Sequence, residues 1–209
     1  MAEQLDYFVT LLSPWSYLGH RAFLDMAARH GAVVRTRPVR IFDLFGEVGA
    51  LPLAQRPPVR QAYRLIELQR VREQRGLPLN LRPKFYPCDI ALADRTVIAL
   101  IAQGHDPQAY MADAFAALWA NEQDLADRAT LATLLSAHGF DAEALLALAD
   151  APQTHATHQD NTRAAIDAGL PGLPGYVRDG EPFWGQDRID LLDDALRSGL
   201  LYTSPSPRD

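Results

Sequence analysis

The sequence predicts an α/β fold with a large all-helical insertion between a β-α-β half and a β-β-α half. Three observations predict it. Residues 5–40 alternate as strand, helix, strand. Residues 59–168 carry helical patterns and no convincing strand. Strand signals return only after residue 174, as a short hairpin followed by a last helix.

In the first segment, Leu5, Tyr7, Val9 and Leu11 alternate with Asp6, Phe8, Thr10 and Leu12, the period of a strand. Ser13 then suits a helix N-cap and Pro14 the first helical position, where its missing N–H costs nothing. The helix runs over 14–29, and His30-Gly31 stops it. AVVRTRPVR, 32–40, is a second strand whose Pro38 marks an edge or an exit. A strand-helix-strand crossover implies parallel pairing.

Residues 41–58 are expected to be irregular, because Gly46, Gly49, Pro52, Pro57 and Pro58 are breakers. A helix follows over 59–75, with Tyr63, Ile66 and Arg70 on one stripe, widened by Leu65, Leu68 and Val71. The loop 77–87 gathers Arg82, Lys84, Phe85 and Tyr86. Further helices are expected at 89–103, 107–121, 127–138, 141–149 and 152–168. Asp127 and Asp141 suit N-caps, and Gly104, Gly139 and Gly169 suit stops. GYVR and EPFW flank Asp179-Gly180, a hairpin turn. The last helix spans 187–198, with Ile189, Leu192, Ala195 and Leu196 inward.

This order is that of a thioredoxin-like fold. The expected division is a thioredoxin-like domain from 1–40 and 169–199, a helical insertion from 41–168, and a Ser/Pro-rich tail, 200–209, that is disordered or foreign to the native protein.

Composition narrows the function. A net charge of -6 argues against a nucleic-acid binder, which needs clustered Lys and Arg. No apolar run is long enough for a membrane span, and the N-terminus has no basic-then-apolar leader, so the cytoplasm is the expected compartment. One cysteine, Cys88, excludes a Cys-x-x-Cys pair, and it reads as an incidental thiol. His155 and His158 are one helical turn apart but lack a third ligand, so no metal is expected. Ser13 has two readings at this level. It is a cap, or it is a hydroxyl beside the partial positive charge of a helix N-terminus, where an anion can be held.

Ser13-Pro14-Trp15-Ser16-Tyr17-Leu18, Gly172-Leu173-Pro174 and Phe183-Trp184-Gly185-Gln186-Asp187-Arg188 together resemble motifs of the 2-hydroxychromene-2-carboxylate isomerases. These are glutathione-dependent enzymes of the DsbA-like group, related to kappa-class glutathione transferases. The resemblance runs from about residue 5 to 199 and includes the insertion segments around Tyr63 and Gly76.

The resemblance implies a glutathione site. In redox members of this fold a cysteine stands where Ser13 stands. Here the serine implies a hydroxyl that hydrogen-bonds the glutathione sulfur, with Ser16 capping or assisting. Pro174 matches the family's cis-proline, and Leu173 would present its backbone to the tripeptide. Gln186 and Asp187 open the last helix; Asp187 would cap it and pair with the γ-glutamyl ammonium. Trp184 is either a wall of the site or core. A lysine of the kappa-class relatives falls on Arg60, which can bind the glycine carboxylate, and an asparagine falls near Leu51, which cannot replace it. Arg56, Arg82, Lys84 and Tyr86 are candidates for the substrate's carboxylate.

The implied reaction is isomerisation of a 2-hydroxychromene-2-carboxylate-type acid to a trans-benzylidenepyruvate through addition and elimination of the thiolate. The implied partner is a small aromatic carboxylate, and relatives are commonly homodimers. A transferase conjugating electrophiles, or a non-catalytic glutathione-binding protein, would use the same site.

Overall fold

The computed structural model describes residues 3–200. Its sheet is built from both ends of the chain. β1 (Gln4–Val9) is central, with β2 (Val33–Pro38) parallel on one side and β3 (Gly175–Arg178) antiparallel on the other; β4 (Glu181–Trp184) completes the order β2-β1-β3-β4. The β3–β4 turn is Asp179-Gly180, with φ of 47° and 86°, the left-handed pair that a two-residue hairpin requires. β2 is an edge strand, which is where Pro38 is tolerated.

The alternation in β1 has a direct consequence. Leu5, Tyr7 and Val9 point into one core, under α1 (Pro14–Arg29) and α9 (Ile189–Ser198), with Phe23, Met26, Tyr176 and Leu192. Tyr7 packs at 4.7 Å from the Phe23 ring and stacks at 5.6 Å on Tyr176. Phe8 points the other way, into a smaller core with Val39, Leu44, Ala165, Leu170 and Leu173. That second face is covered by α2 (Ile41–Val48) and α8 (Pro152–Asp167).

Between β2 and β3 the remaining helices are α3 (Pro58–Arg75), α4 (Ala91–Ala102), α5 (Gln108–Trp119), α6 (Arg128–Ala137) and α7 (Ala142–Ala149). Asp127 and Asp141 cap α6 and α7 as expected. Buried side chains of these helices, with Tyr110, Phe115, Leu118 and Trp119 of α5 among them, join the first sheet core, so insertion and sheet share one continuous interior. Among the described residues no helix is long and apolar enough to cross a membrane.

Three expectations are corrected. The segment 41–58 is not irregular throughout: α2 occupies its first half. Gly46 is accommodated inside α2 and Gly49 ends it, so only one of the two glycines is a breaker. In α3, the stripe through Tyr63 and Ile66 is exposed, and the helix is seated by Leu68 and Val71. The last helix begins later than expected. A 3-10 turn, Gln186–Arg188, precedes α9, and Asp187 makes no capping bond, because its carboxylate is taken by Arg188 at 2.6 Å. Residues 201–209, most of the expected tail, lie outside the described residues.

Candidate functional site

β1 ends in a tight loop that delivers Ser13 to the start of α1. Ser13 is extended, and its Oγ accepts the Ser16 N–H at 3.2 Å, the N-cap bond. The first turn of α1 contains no acidic residue, so no side chain of that turn neutralises the helix's positive end. The Ser13 hydroxyl also donates to the Leu173 carbonyl at 3.3 Å, which ties the first strand-helix junction to the distant 173–174 loop. The Leu173–Pro174 bond is cis, as the motif implied. The Pro174 carbonyl accepts from Gly185 N–H at 2.9 Å, while the Leu173 N–H has no acceptor among the described residues. Ser16 caps nothing with its side chain; its Oγ is buried without a partner.

The loop carrying Ser13 is held from the insertion. Asp94 on α4 is fully buried and accepts from the Leu11 N–H at 2.9 Å and the Thr10 hydroxyl at 2.7 Å. Thr10 in turn accepts from Leu12 N–H with its hydroxyl and from Ser13 N–H with its carbonyl. Burial pushes the Asp94 carboxyl up to about 7, against the pull of these hydrogen bonds. Trp119 adds a second tether, its indole N–H donating to the Leu11 carbonyl at 3.2 Å.

The third element is the turn after β4. Gly185, at φ 99° and ψ 150°, adopts a conformation essentially reserved for glycine, and a Cβ there would lie 2.5 Å from the Asp187 carboxylate. Gln186 is buried against α1 at Gly19, where a Cβ would meet the Gln186 Cβ at 2.6 Å. Arg75, at the end of α3, donates to the Gln186 side-chain oxygen at 2.9 Å and to its backbone carbonyl at 3.2 Å. With its oxygen held by a guanidinium, the amide presents its nitrogen as the free donor. Trp184 lies half exposed over Gly172.

These elements line one side of a cleft of about 1630 Å³. Ser13, Leu173, Trp184, Gln186 and Asp187 are on that side, with Pro174 directly behind Leu173. The other side is built by α2, the segment after it and α3, and it brings in Arg56, Arg60, Leu51 and Tyr86 from the expected set. Arg56 donates to the Leu51 carbonyl at 2.7 Å. Arg82 and Lys84 do not line the cleft; both are exposed, and the Lys84 ammonium lies 4.8 Å from the Phe85 ring centre.

His155 is exposed whereas His158 is buried, so the two do not face a common point. Burial holds the Cys88 thiol up at about 11.

Asp94, Arg75 and Arg64 are cleft or support residues that sequence reasoning did not single out. Asp94 had a signal, a carboxylate inside the apolar run ALADRTVIAL. Arg64 had one too, four residues after Arg60 on the same helix face. Arg75 had none, because its partner is more than a hundred residues away.

The DSBA-like thioredoxin domain family matches residues 4–197. A Sphingobium xenophagum protein named 2-hydroxychromene-2-carboxylate isomerase is 28% identical over 198 residues, covering 94% of this chain and 99% of that one. A Pseudomonas putida protein of the same name is 27% identical over 198 residues, covering 92% and 93%. The solved structure of a 2-hydroxychromene-2-carboxylate isomerase superposes with a TM-score of 0.80 at 22% identity, over 93% of this chain and 95% of that one.

Proposed function

This chain belongs to the DSBA-like thioredoxin domain family, and we propose that it is a glutathione-dependent isomerase acting on a 2-hydroxychromene-2-carboxylate-type acid. The observation that carries the reading is the Ser13 hydroxyl, set between a helix N-terminus with no acidic residue in its first turn and the cis-proline loop at the side of a large cleft. The isomerase names of two nearly full-length relatives support it.

The residues present fit the tripeptide. The Leu173 N–H lacks an acceptor and can take a peptide carbonyl in the manner of strand addition. Arg60 has no carboxylate partner among the described residues and suits a terminal carboxylate. Gln186 offers an amide donor already aimed by Arg75. Asp187 can accept an ammonium if it exchanges its exposed contact with Arg188.

Ser13, Leu173, Gln186, Asp187 and Arg60 would hold glutathione, which when bound would supply a thiolate for reversible addition to the conjugated system, so that the double bond could change geometry. Ser13 turns its hydroxyl proton from the Leu173 carbonyl to the sulfur, while the Ser16 N–H into Oγ polarises that hydroxyl. The α1 N-terminus would lower the pKa of a thiol held there from its usual value of about 8.5, so that more thiolate would be present at neutral pH. The α2–α3 side of the cleft would contact the substrate and orient the reacting carbons. A reduced glutathione pool places this activity in the cytoplasm, acting on a small aromatic carboxylate.

The test is to follow ring opening by ultraviolet absorbance with and without glutathione, for the wild type and Ser13→Ala. Glutathione-dependent turnover that collapses in Ser13→Ala is expected. Full activity without glutathione, or in Ser13→Ala, would reject the reading. Faster conjugation of an aryl chloride than isomerisation would reassign the protein as a transferase.

A further inference from the structure

We infer that Arg64, lying over the Tyr86 ring, and Arg56, lying over the Phe45 ring, form the binding site for the carboxylate of a planar aromatic acid. The inference deepens the isomerase reading and rests on it for the identity of the acid.

The charges of the cleft divide into two groups. Its carboxylates are engaged by near neighbours: Glu67 by Arg70, and Asp187 by Arg188. Arg56 and Arg64 have no carboxylate partner among the described residues. Among the described residues the one hydrogen bond of the Arg56 side chain goes to a backbone carbonyl, that of Leu51. Arg64 makes none and lies 5.7 Å from the Tyr86 ring centre. Arg64 is also largely withdrawn from water, and burial, together with the nearby Arg56 charge, lowers its pKa. Two cations that line one cleft without a carboxylate partner are unfavourable alone, and an anion bound between them removes the cost.

The surroundings fix the class of anion. Arg56 lies 5.7 Å from the Phe45 ring centre, so each guanidinium has an aromatic face behind it. A guanidinium fork matches the two oxygens of a carboxylate, and the flanking rings suit the flat body of an aryl acid. The site is also tied to Ser13. Tyr86 packs on Trp119 at 4.9 Å, and Trp119 holds the Leu11 carbonyl in the loop that presents Ser13. A carboxylate at Arg64 would therefore sit at a set distance from the thiolate position. Arg60, exposed nearer the start of α3, stays free for the cofactor.

The experiment measures binding rather than turnover. Benzylidenepyruvate and its methyl ester are titrated into wild type, Arg64→Gln, Arg56→Gln and Arg64→Lys, with glutathione affinity measured in parallel. Wild type should prefer the acid over the ester by about tenfold or more, the scale of a charge-assisted hydrogen bond. Both Gln variants should lose that preference while keeping their glutathione affinity, and Arg64→Lys should recover part of it. No preference in wild type, or a preference retained in both Gln variants, overturns the inference. A preference lost in the Gln variants of a protein that shows no glutathione-dependent isomerisation would keep the anion site and reject the isomerase reading. Normal turnover with the preference retained in both Gln variants would do the reverse.

Discussion

The two sides of the cleft are built differently. The sheet side is buried and tied: Ser13, Leu173 and Gln186 are nearly inaccessible, and each is fixed by a hydrogen bond to a distant part of the chain. The α2–α3 side is open. Phe42, Leu51, Val59 and Tyr63 are about half exposed or more, and α3 is seated by only two fully buried side chains. The proposed chemistry would use the tied side, where a small displacement of a donor is costly. The open side carries the cations and rings proposed to hold the substrate.

Substitutions on each side should therefore differ in kind. Ser13→Ala should lower kcat by roughly a hundredfold or more, the usual scale for losing one donor to a reacting anion. The same change should cost only about 1 kcal/mol of stability, as a lost cap, so steady-state rates and a denaturant melt together separate the roles. Asp94→Ala should lose about 2–4 kcal/mol in chemical denaturation, because it leaves the Leu11 N–H and the Thr10 hydroxyl buried without acceptors.

Asp94 also sets a pH dependence. Its folded pKa, about 7, lies above its unfolded value. The folded state then binds the proton more tightly, so this group's contribution is fully present below about pH 4 and is lost as pH rises towards 7. Stability profiles should show that decline in the wild type and less of it in Asp94→Asn. A smaller effect is expected from Arg75→Ala, which frees the Gln186 amide to rotate. Glutathione KM should rise about three- to tenfold with kcat little changed. Tyr63→Ala, on the open side, should move stability by no more than about 0.5 kcal/mol. A large loss there would erase the contrast between the two sides.

The same contrast governs what could be read before folding. The strand-helix junction at Ser13, the Asp179-Gly180 turn and the 173–174 loop are local motifs, and each was legible. The α2 helix was not, because Gly46 weighs against a helix until Leu44 is seen packed under α8. Asp187 suited a cap by position, but the chain inserts a 3-10 turn and gives the carboxylate to Arg188. The supports of the tied side, Asp94 and Arg75, act across 83 and 111 residues of sequence, and no local pattern reports a partner at that distance.

The burial of the protein's one cysteine, Cys88, bears on its reactivity towards disulfides. At a pKa near 11, Cys88 is about one part in ten thousand thiolate at neutral pH. Disulfide exchange needs the thiolate. Oxidised glutathione, which would cap a reactive cysteine as a mixed disulfide, finds almost no nucleophile here. Cys88 is therefore expected to form a mixed disulfide only slowly when oxidised glutathione is added.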